Sequence, residues 1–277
     1  MDASAKPATL KAPGATLYFE ARGSGPVLLM IPGGPADAGV FDGLAAHMAD
    51  RYTIVAYDPR GNSRSTFDGE PAEQDMDVHG DDAARLIEAA GGGPAFVLGS
   101  SGGAQIGLNL AARHPQRVRK LVAHEPPCVL LLPDPAQARA DTEAIYDTYK
   151  ARGVGAAMQA FAAFAGLGGG PSRDDAPPAQ APPRIGGNMD YFLGHGVRPI
   201  ALYRPDIEAL RAGAARIVVG VGAASWGQVA HRTALALAER LGAEPTVFPG
   251  GHGGYGEDPA GFAVVLDRTL SGEARAA

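Results

Sequence analysis

The order of apolar segments along the chain constrains its fold more than any other feature. Short, nearly continuous apolar runs recur along the sequence, at residues 27–31, 52–57, 95–98, 118–123, 216–221 and 245–248. Longer segments with apolar residues at helical spacing separate most of them, at residues 40–49, 77–90, 104–113, 228–241 and 259–270. This alternation predicts an α/β fold with a mostly parallel sheet flanked by helices. Residues 15–21 alternate apolar and polar side chains, which predicts an edge strand.

The middle of the chain departs from this alternation. No buried strand is evident from about residue 127 to 212, while residues 136–152 and 155–164 have helical patterns. Residues 166–187 are rich in glycine and proline, which predicts a loop or linker. Because ligands bind at the carboxyl edge of a parallel sheet, an insertion there commonly covers the ligand. We therefore predict a core of residues 1–127 and 213–277, with a helical cap or lid at 128–212.

The composition excludes several classes of protein. The chain has 277 residues, 45% hydrophobic and 19% charged, which is typical of a soluble globular protein. A net charge of −6 without a basic block argues against nucleic acid or an anionic membrane as partner. The single cysteine, Cys128, rules out an internal disulfide framework and a multi-cysteine zinc site. The N-terminus lacks the apolar run of a signal peptide, and no window approaches the roughly 18 apolar residues of a membrane span, so we expect a cytoplasmic protein.

A candidate nucleophile lies in the segment Gly99-Ser100-Ser101-Gly102-Gly103. It fits G-x-S-x-G with Ser101 at the centre, after a predicted strand and before a predicted helix. A strand that turns sharply into a helix projects the central hydroxyl from the edge of the sheet, and flanking glycines remove side chains that would clash. The N–H of Gly102, at the start of the helix, can then donate to an oxyanion. Ser100 lacks the symmetrical spacing, and we interpret it as a substrate-binding or hydrogen-bonding wall residue.

A serine nucleophile requires a base and a second oxyanion donor. In this architecture the base is a histidine after the last strand, which indicates His252 in the glycine-rich segment Pro249-Gly250-Gly251-His252. The second donor comes from the loop after an early strand, here Pro32-Gly33-Gly34-Pro35. Without a side chain, the amide of Gly34 can come close to a ligand, and Gly33 is a candidate substrate contact.

The acid of the predicted triad is less obvious. An aspartate usually follows the penultimate strand, but residues 221–227 contain no carboxylate. Either the triad lacks an acid or the acid comes from elsewhere. Glu125 follows the strand at residues 118–123, at the same edge of the sheet as Ser101 and His252, where it could accept the second imidazole N–H. The alternative is a salt-bridged structural glutamate where the cap begins.

Taken together, these residues resemble the α/β-hydrolase superfamily over nearly the whole chain. The segment Tyr57-Asp58-Pro59-Arg60-Gly61-Asn62-Ser63-Arg64-Ser65 is similar to a signature of that superfamily. A closer resemblance is to the zearalenone-degrading lactonases, which carry a Ser-Ser-Gly elbow, a His-Glu-x-Pro segment and a Pro-Gly-x-His segment, matched here by residues 100–102, 124–127 and 249–252. This resemblance implies a serine hydrolase of esters or lactones, with Glu125 as triad acid and the amides of Gly34 and Gly102 as oxyanion donors.

The same resemblance indicates where substrate would bind. Those lactonases hold a cap tryptophan against the substrate, and the nearest position here is Phe192, beside Tyr191, so we predict that both residues contact a small apolar ester or lactone. The Pro-Gly-Gly-Pro loop departs from their Pro-Asp-Gly and is similar to the His-Gly-Gly-Pro of proline iminopeptidases. An aminopeptidase would need Asp190 or Asp206 to hold a substrate amine. A non-catalytic ligand-binding protein is the other alternative. We expect no metal or organic cofactor, and a monomer or homodimer.

Overall fold

A single sheet organises the chain. The computed structural model describes residues 5–166, 183–213 and 215–272. Within these ranges the sheet has nine strands: β1 (Lys6–Ala12), β2 (Ala15–Gly23), β3 (Val27–Ile31), β4 (Thr53–Tyr57), β5 (Thr66–Phe67), β6 (Ala95–Ser100), β7 (Val118–His124), β8 (Arg216–Gly222) and β9 (Thr246–Phe248). Their order is β1-β2-β4-β3-β6-β7-β8-β9, and β5 pairs with β2. All pairs from β4 to β9 are parallel, whereas β2 pairs antiparallel with β1, β4 and β5. The predicted α/β fold is confirmed.

Helices cover both faces of this sheet. They are α1 (Asp42–Met48), α2 (Met76–Ala89), α3 (Gly102–Arg113), α4 (Pro135–Ala165), α5 (Pro183–Tyr191), α6 (Val197–Ala201), α7 (Ile207–Ala212), α8 (Val229–Leu241), α9 (Gly254–Glu257) and α10 (Pro259–Ser271). Strand β3 shows why its sequence is a continuous apolar run. Leu28 and Met30 pack with α1 and α10 on one face, while Leu29 and Ile31 pack with α2, α3 and α8 on the other.

The edge of the sheet differs from the prediction. Residues 15–21 belong to β2, which is covered by β1 and is therefore not an edge strand. Strand β1 is itself the edge, and most of its residues are exposed. Its sequence carries little signal because exposed residues need no apolar alternation, and an edge strand tolerates Pro7.

The segment between β7 and β8 is helical, from α4 to α7, with a π-helical turn at Phe192–Gly196. Helix α4 kinks at Gly153, whose φ is 79°. Residues 167–182 of the predicted loop lie outside the described residues. The prediction was wrong for residues 183–187, because α5 begins at Pro183, where the first helical turn tolerates proline. These helices lie within the predicted cap, whose boundaries at residues 128 and 212 stay a prediction. No helix in the described ranges combines the length and hydropathy needed to cross a membrane.

Candidate active site

The turn from β6 into α3 holds Ser101 in an unusual backbone conformation. Its φ of 56° and ψ of −127° are strained for a residue with a side chain. Its N–H donates to the carbonyl of His124 at 2.9 Å. The flanking glycines permit close packing, since a Cβ on Gly103 would lie 2.1 Å from the carbonyl oxygen of Ile31. The turn therefore has the sharp geometry that the G-x-S-x-G spacing predicts.

A cavity of about 190 Å³ lies beside this turn. The predicted nucleophile and the predicted base, Ser101 and His252, both line it. The side chains of Ser101, His252 and Tyr255 are the polar ones among its described lining residues. The others are glycines, prolines and apolar residues: Gly33, Gly34, Pro35, Gly102, Pro127, Val129, Phe161, Phe164, Ala165, Phe192, Val197, Ile200, Ala201, Val229 and Ala230. Among the described lining residues there is no Asp, Glu, Lys or Arg, so the cavity suits an apolar, uncharged ligand.

The two predicted oxyanion donors lie next to each other. Gly34, with φ of 51°, and Gly102, the first residue of α3, both line the cavity. The nitrogen of Gly34 is 3.3 Å from where a Cβ on Gly102 would stand. Gly33 packs tightly on the nucleophile turn, since a Cβ there would lie 2.5 Å from the carbonyl oxygen of Ser100. The helix N-terminus adds a partial positive charge at this point.

The predicted base is tied to the predicted acid. Nδ1 of His252 lies 2.7 Å from Oε2 of Glu125. The loop that carries the imidazole is fixed by hydrogen bonds: the N–H of Gly251 donates to Glu257 at 2.8 Å, and the carbonyl of Gly250 accepts from Ala224 at 2.8 Å. The backbone of this glycine-rich loop is therefore held in one conformation beside Glu125.

Glu125 is completely buried and has a positive φ of 49°. Its Oε1 accepts a hydrogen bond from the N–H of Gly222 at 2.9 Å and another from the hydroxyl of Ser225. Burial raises the pKa of the carboxyl, but the hydrogen bonds from His252, Ser225 and Gly222 outweigh it, so the pKa lies below its ordinary value. The carboxylate is therefore ionised at neutral pH and can hold His252 in one tautomer.

Sequence reasoning missed the two groups that hold this carboxylate. Gly222 and Ser225 lie in the segment after β8, which contains no carboxylate. The sequence of that segment does not show that Ser225 is buried against Glu125. Tyr255, three residues after His252, was also missed, and the sequence offers no signal for its place on the cavity.

Two predicted substrate contacts do not reach the cavity. Ser100 is 1% exposed, and its hydroxyl lies 3.5 Å from Nδ1 of the buried His124. The hydroxyl of Tyr191 donates to the carbonyl of Ala72 at 3.1 Å. Adjacent residues on a helix point about 100° apart, so Tyr191 faces the core while Phe192 lines the cavity. The cavity lining therefore does not include Ser100 or Tyr191, and the contact of Ser100 with His124 agrees with the alternative of a hydrogen-bonding residue. Gly33 and Phe192 line the cavity and stay predicted substrate contacts.

The carboxylates that an aminopeptidase would need lie elsewhere. Asp190 accepts a hydrogen bond from the hydroxyl of Tyr149 at 2.9 Å, and Asp206 caps α7 by accepting from the N–H of Ala209 at 2.9 Å. Neither lines the cavity.

Cys128 is buried, and burial raises the pKa of its thiol to about 12, so it is not a nucleophile. In the described part of the chain, no three His, Cys, Asp or Glu side chains come together as a metal site.

Comparison with known proteins agrees with this architecture. A family model described as alpha/beta hydrolase fold matches residues 26–165. The uncharacterized hydrolase YraK of Bacillus subtilis (strain 168) is 36% identical over 251 residues, 89% of each chain. A thermophilic esterase from Thermogutta terrifontis superimposes with a TM-score of 0.71 at 21% identity, covering 98% of this chain and 99% of that one. Est816, described as an N-acyl homoserine lactone degrading enzyme, gives a TM-score of 0.68 at 21% identity, covering 94% and 99%. On this evidence, the chain belongs to the α/β-hydrolase family.

Proposed function

We propose that the protein is a serine hydrolase that cleaves a carboxylic ester or lactone, using Ser101, His252 and Glu125 as its triad. The observation that carries this proposal is the 2.7 Å contact between Glu125 and His252, beside a cavity that Ser101 also lines. In this proposal the three residues supply the nucleophile, base and orienting acid that acyl transfer requires. The resemblance of residues 124–127 to the lactonase segment supports the same assignment.

In the proposed reaction, Ser101 Oγ attacks the carbonyl carbon while Nε2 of His252 takes its proton. Glu125 accepts the Nδ1–H and stabilises the imidazolium. The N–H groups of Gly34 and Gly102 donate to the oxyanion of the tetrahedral intermediate. The C–O bond then breaks, and His252 protonates the leaving alkoxide. Water, deprotonated by His252, then attacks the acyl carbon; the bond from this carbon to Ser101 Oγ breaks, and His252 returns the proton to Oγ.

The lining of the cavity supports an uncharged, apolar substrate. The rings of Phe161 and Phe192 meet edge to face at 5.1 Å on its wall, and Phe164 lies beside them. Such a surface favours aromatic or long acyl groups over charged peptides. Esterase and lactone-degrading neighbours in the fold comparison agree with this class, and we propose a zearalenone-type lactone as the first substrate to test. A cytoplasmic monomer or homodimer stays a prediction.

Labelling and turnover test the proposal together. A fluorophosphonate should add one label to the wild-type chain, detected by intact mass, and none to Ser101→Ala. Resorcylate lactones, simple lactones and aryl esters should be hydrolysed by the wild type alone. No adduct and no turnover would refute the proposal and favour a ligand-binding protein. Cleavage of peptide arylamides in preference to esters would favour the aminopeptidase.

A further inference from the structure

One side chain of the helical segment between β7 and β8 forms hydrogen bonds with loops of the core. Asn188, in α5, is 2% exposed. Its Oδ1 accepts from the N–H of Ser63 at 2.6 Å, and its Nδ2 donates to the carbonyl of Pro35 at 2.9 Å and to the hydroxyl of Ser63 at 2.9 Å. Both Oδ1 and Nδ2 of this amide are thus used on two core loops, those that follow β3 and β4.

The hydrogen bond from Asn188 to the carbonyl of Pro35 also constrains the peptide units next to it. A peptide unit is planar, so the carbonyl of Pro35 and the N–H of Ala36 move together. That N–H donates to the carbonyl of Gly33 at 3.1 Å. The carbonyl of Gly33 in turn shares its plane with the N–H of Gly34, the proposed oxyanion donor. Two rigid peptide planes therefore connect Asn188 to the direction of this N–H.

A core residue holds the neighbouring carbonyls of the same loop. Nδ2 of Asn62 donates to the carbonyl of Gly34 at 3.2 Å and to that of Ala36 at 2.8 Å. The three successive carbonyls at residues 34–36 thus all accept from asparagine amides. Asn62 supplies two of the bonds and Asn188 the third. The φ of 51° at Gly34 shows why this anchoring matters, because a glycine can adopt several backbone conformations at little cost.

We propose that Asn188 is a positioning residue for the oxyanion hole, which orients the Gly34 N–H from the helical segment above the site. The inference rests on the proposed function, since this N–H acts in catalysis only if a carbonyl is attacked at Ser101. It extends that function, because a residue of α5 then contributes to the chemical step. Loss of Asn188 should lower kcat more than it raises KM.

The variants Asn188→Ala and Asn188→Asp test the proposal against a matched control. Aspartate retains the acceptor for Ser63 but cannot donate to Pro35. The control is Arg198→Ala, which removes the exposed 2.8 Å ion pair from α6 to Glu73 and leaves both loops untouched. Removal of one oxyanion donor costs about 10²–10³ in kcat, and a misdirected donor less, so we expect kcat for an aryl ester to fall about 10–100-fold in both Asn188 variants. Their KM should change less than about threefold, and the control should keep its kcat.

A transition-state mimic distinguishes positioning of the Gly34 N–H from a purely structural role in which Asn188 only anchors α5 to the core loops. A trifluoromethyl ketone forms a tetrahedral oxyanion on the serine, so its Ki should rise with the fall in kcat. The Ki of the corresponding methyl ketone, which binds without this adduct, should stay unchanged. An unaltered kcat in folded Asn188→Ala, or a raised KM with full kcat, would overturn the proposal. A wild type with neither phosphonate adduct nor turnover would instead refute the proposed function, and the positioning role with it.

Discussion

Replacing Glu125 by glutamine gives the sharpest test of the triad, because the structure dictates how the amide must sit. Oε1 of the glutamate receives two donors, the N–H of Gly222 and the hydroxyl of Ser225. The glutamine carbonyl must occupy that position, so its NH₂ group faces Nδ1 of His252. That nitrogen can then only accept, which places the imidazole proton on Nε2. In this tautomer His252 cannot take the proton of Ser101.

The expected cost follows from this forced tautomer. The equivalent change in a Ser-His-Asp triad lowers kcat about 10⁴-fold, or about 5 kcal/mol of transition-state stabilisation. We expect a similar loss of kcat for Glu125→Gln, measured with an aryl ester at pH 7–8, and nearly unchanged KM. Glutamine is nearly isosteric, so circular dichroism and the thermal midpoint should show a folded protein.

A smaller loss would contradict this reasoning. If Glu125→Gln kept kcat within about tenfold of the wild type while Ser101→Ala was inactive, the serine would act without this acid. Glu125 would then be a structural carboxylate that happens to contact His252. Equal retention of activity in Glu125→Ala would exclude the triad assignment altogether.

Three further predictions concern the groups around the site and two buried histidines. Ser225→Ala removes one hydrogen bond to the buried carboxylate of Glu125 and should lower kcat about tenfold, because hydrogen bonds to charged groups contribute about 1.5–3 kcal/mol. Full activity of this variant would contradict the supporting role of Ser225. Gly33→Ala places a Cβ 2.5 Å from the carbonyl oxygen of Ser100, in the nucleophile turn, and should slow phosphonate labelling at least about tenfold. Labelling at the wild-type rate would show that the turn accommodates the methyl group without displacing Ser101. Burial lowers the pKa of His79 and of His124 from 6.5 to about 4, so the unfolded chain binds protons first as pH falls from about 6.5 to 4. The free energy of unfolding in urea should therefore decline across this window, more shallowly in His79→Leu, and a constant value would refute the assignment.

The fold was predictable because burial on both faces of a sheet leaves a direct record in the sequence. Leu28 to Ile31 must all be apolar when alternate residues pack on opposite helix layers. The same reasoning fails for β1, whose exposed residues have no such requirement. The π-helical turn at Phe192–Gly196 was not predicted either.

The candidate site was predictable where chemistry demands a residue type at a fixed place along the chain. Ser101 and His252 follow strands whose ends meet at one edge, and the structure brings both onto one cavity. The supporting groups were not predictable, because their roles depend on contacts distant in sequence. Asn188 is 153 positions from Pro35, and Ser225 is 100 from Glu125. Any serine or asparagine could have filled such a role.

Because the carboxylate of Glu125 follows β7, the loop after β8 has to provide hydrogen-bond donors to this carboxylate and no acid of its own. That loop supplies the proposed acid, Glu125, with one backbone N–H, from Gly222, and one hydroxyl, from Ser225. The side chains of Ala223, Ala224 and Trp226 are exposed, and Trp226 is 82% exposed. In an enzyme whose triad acid lies in this loop, substitution of that residue would lower turnover. Here the exposed side chains of Ala223, Ala224 and Trp226 make none of these contacts, so they can be replaced a few residues from the proposed reaction centre while Gly222 and Ser225 are kept.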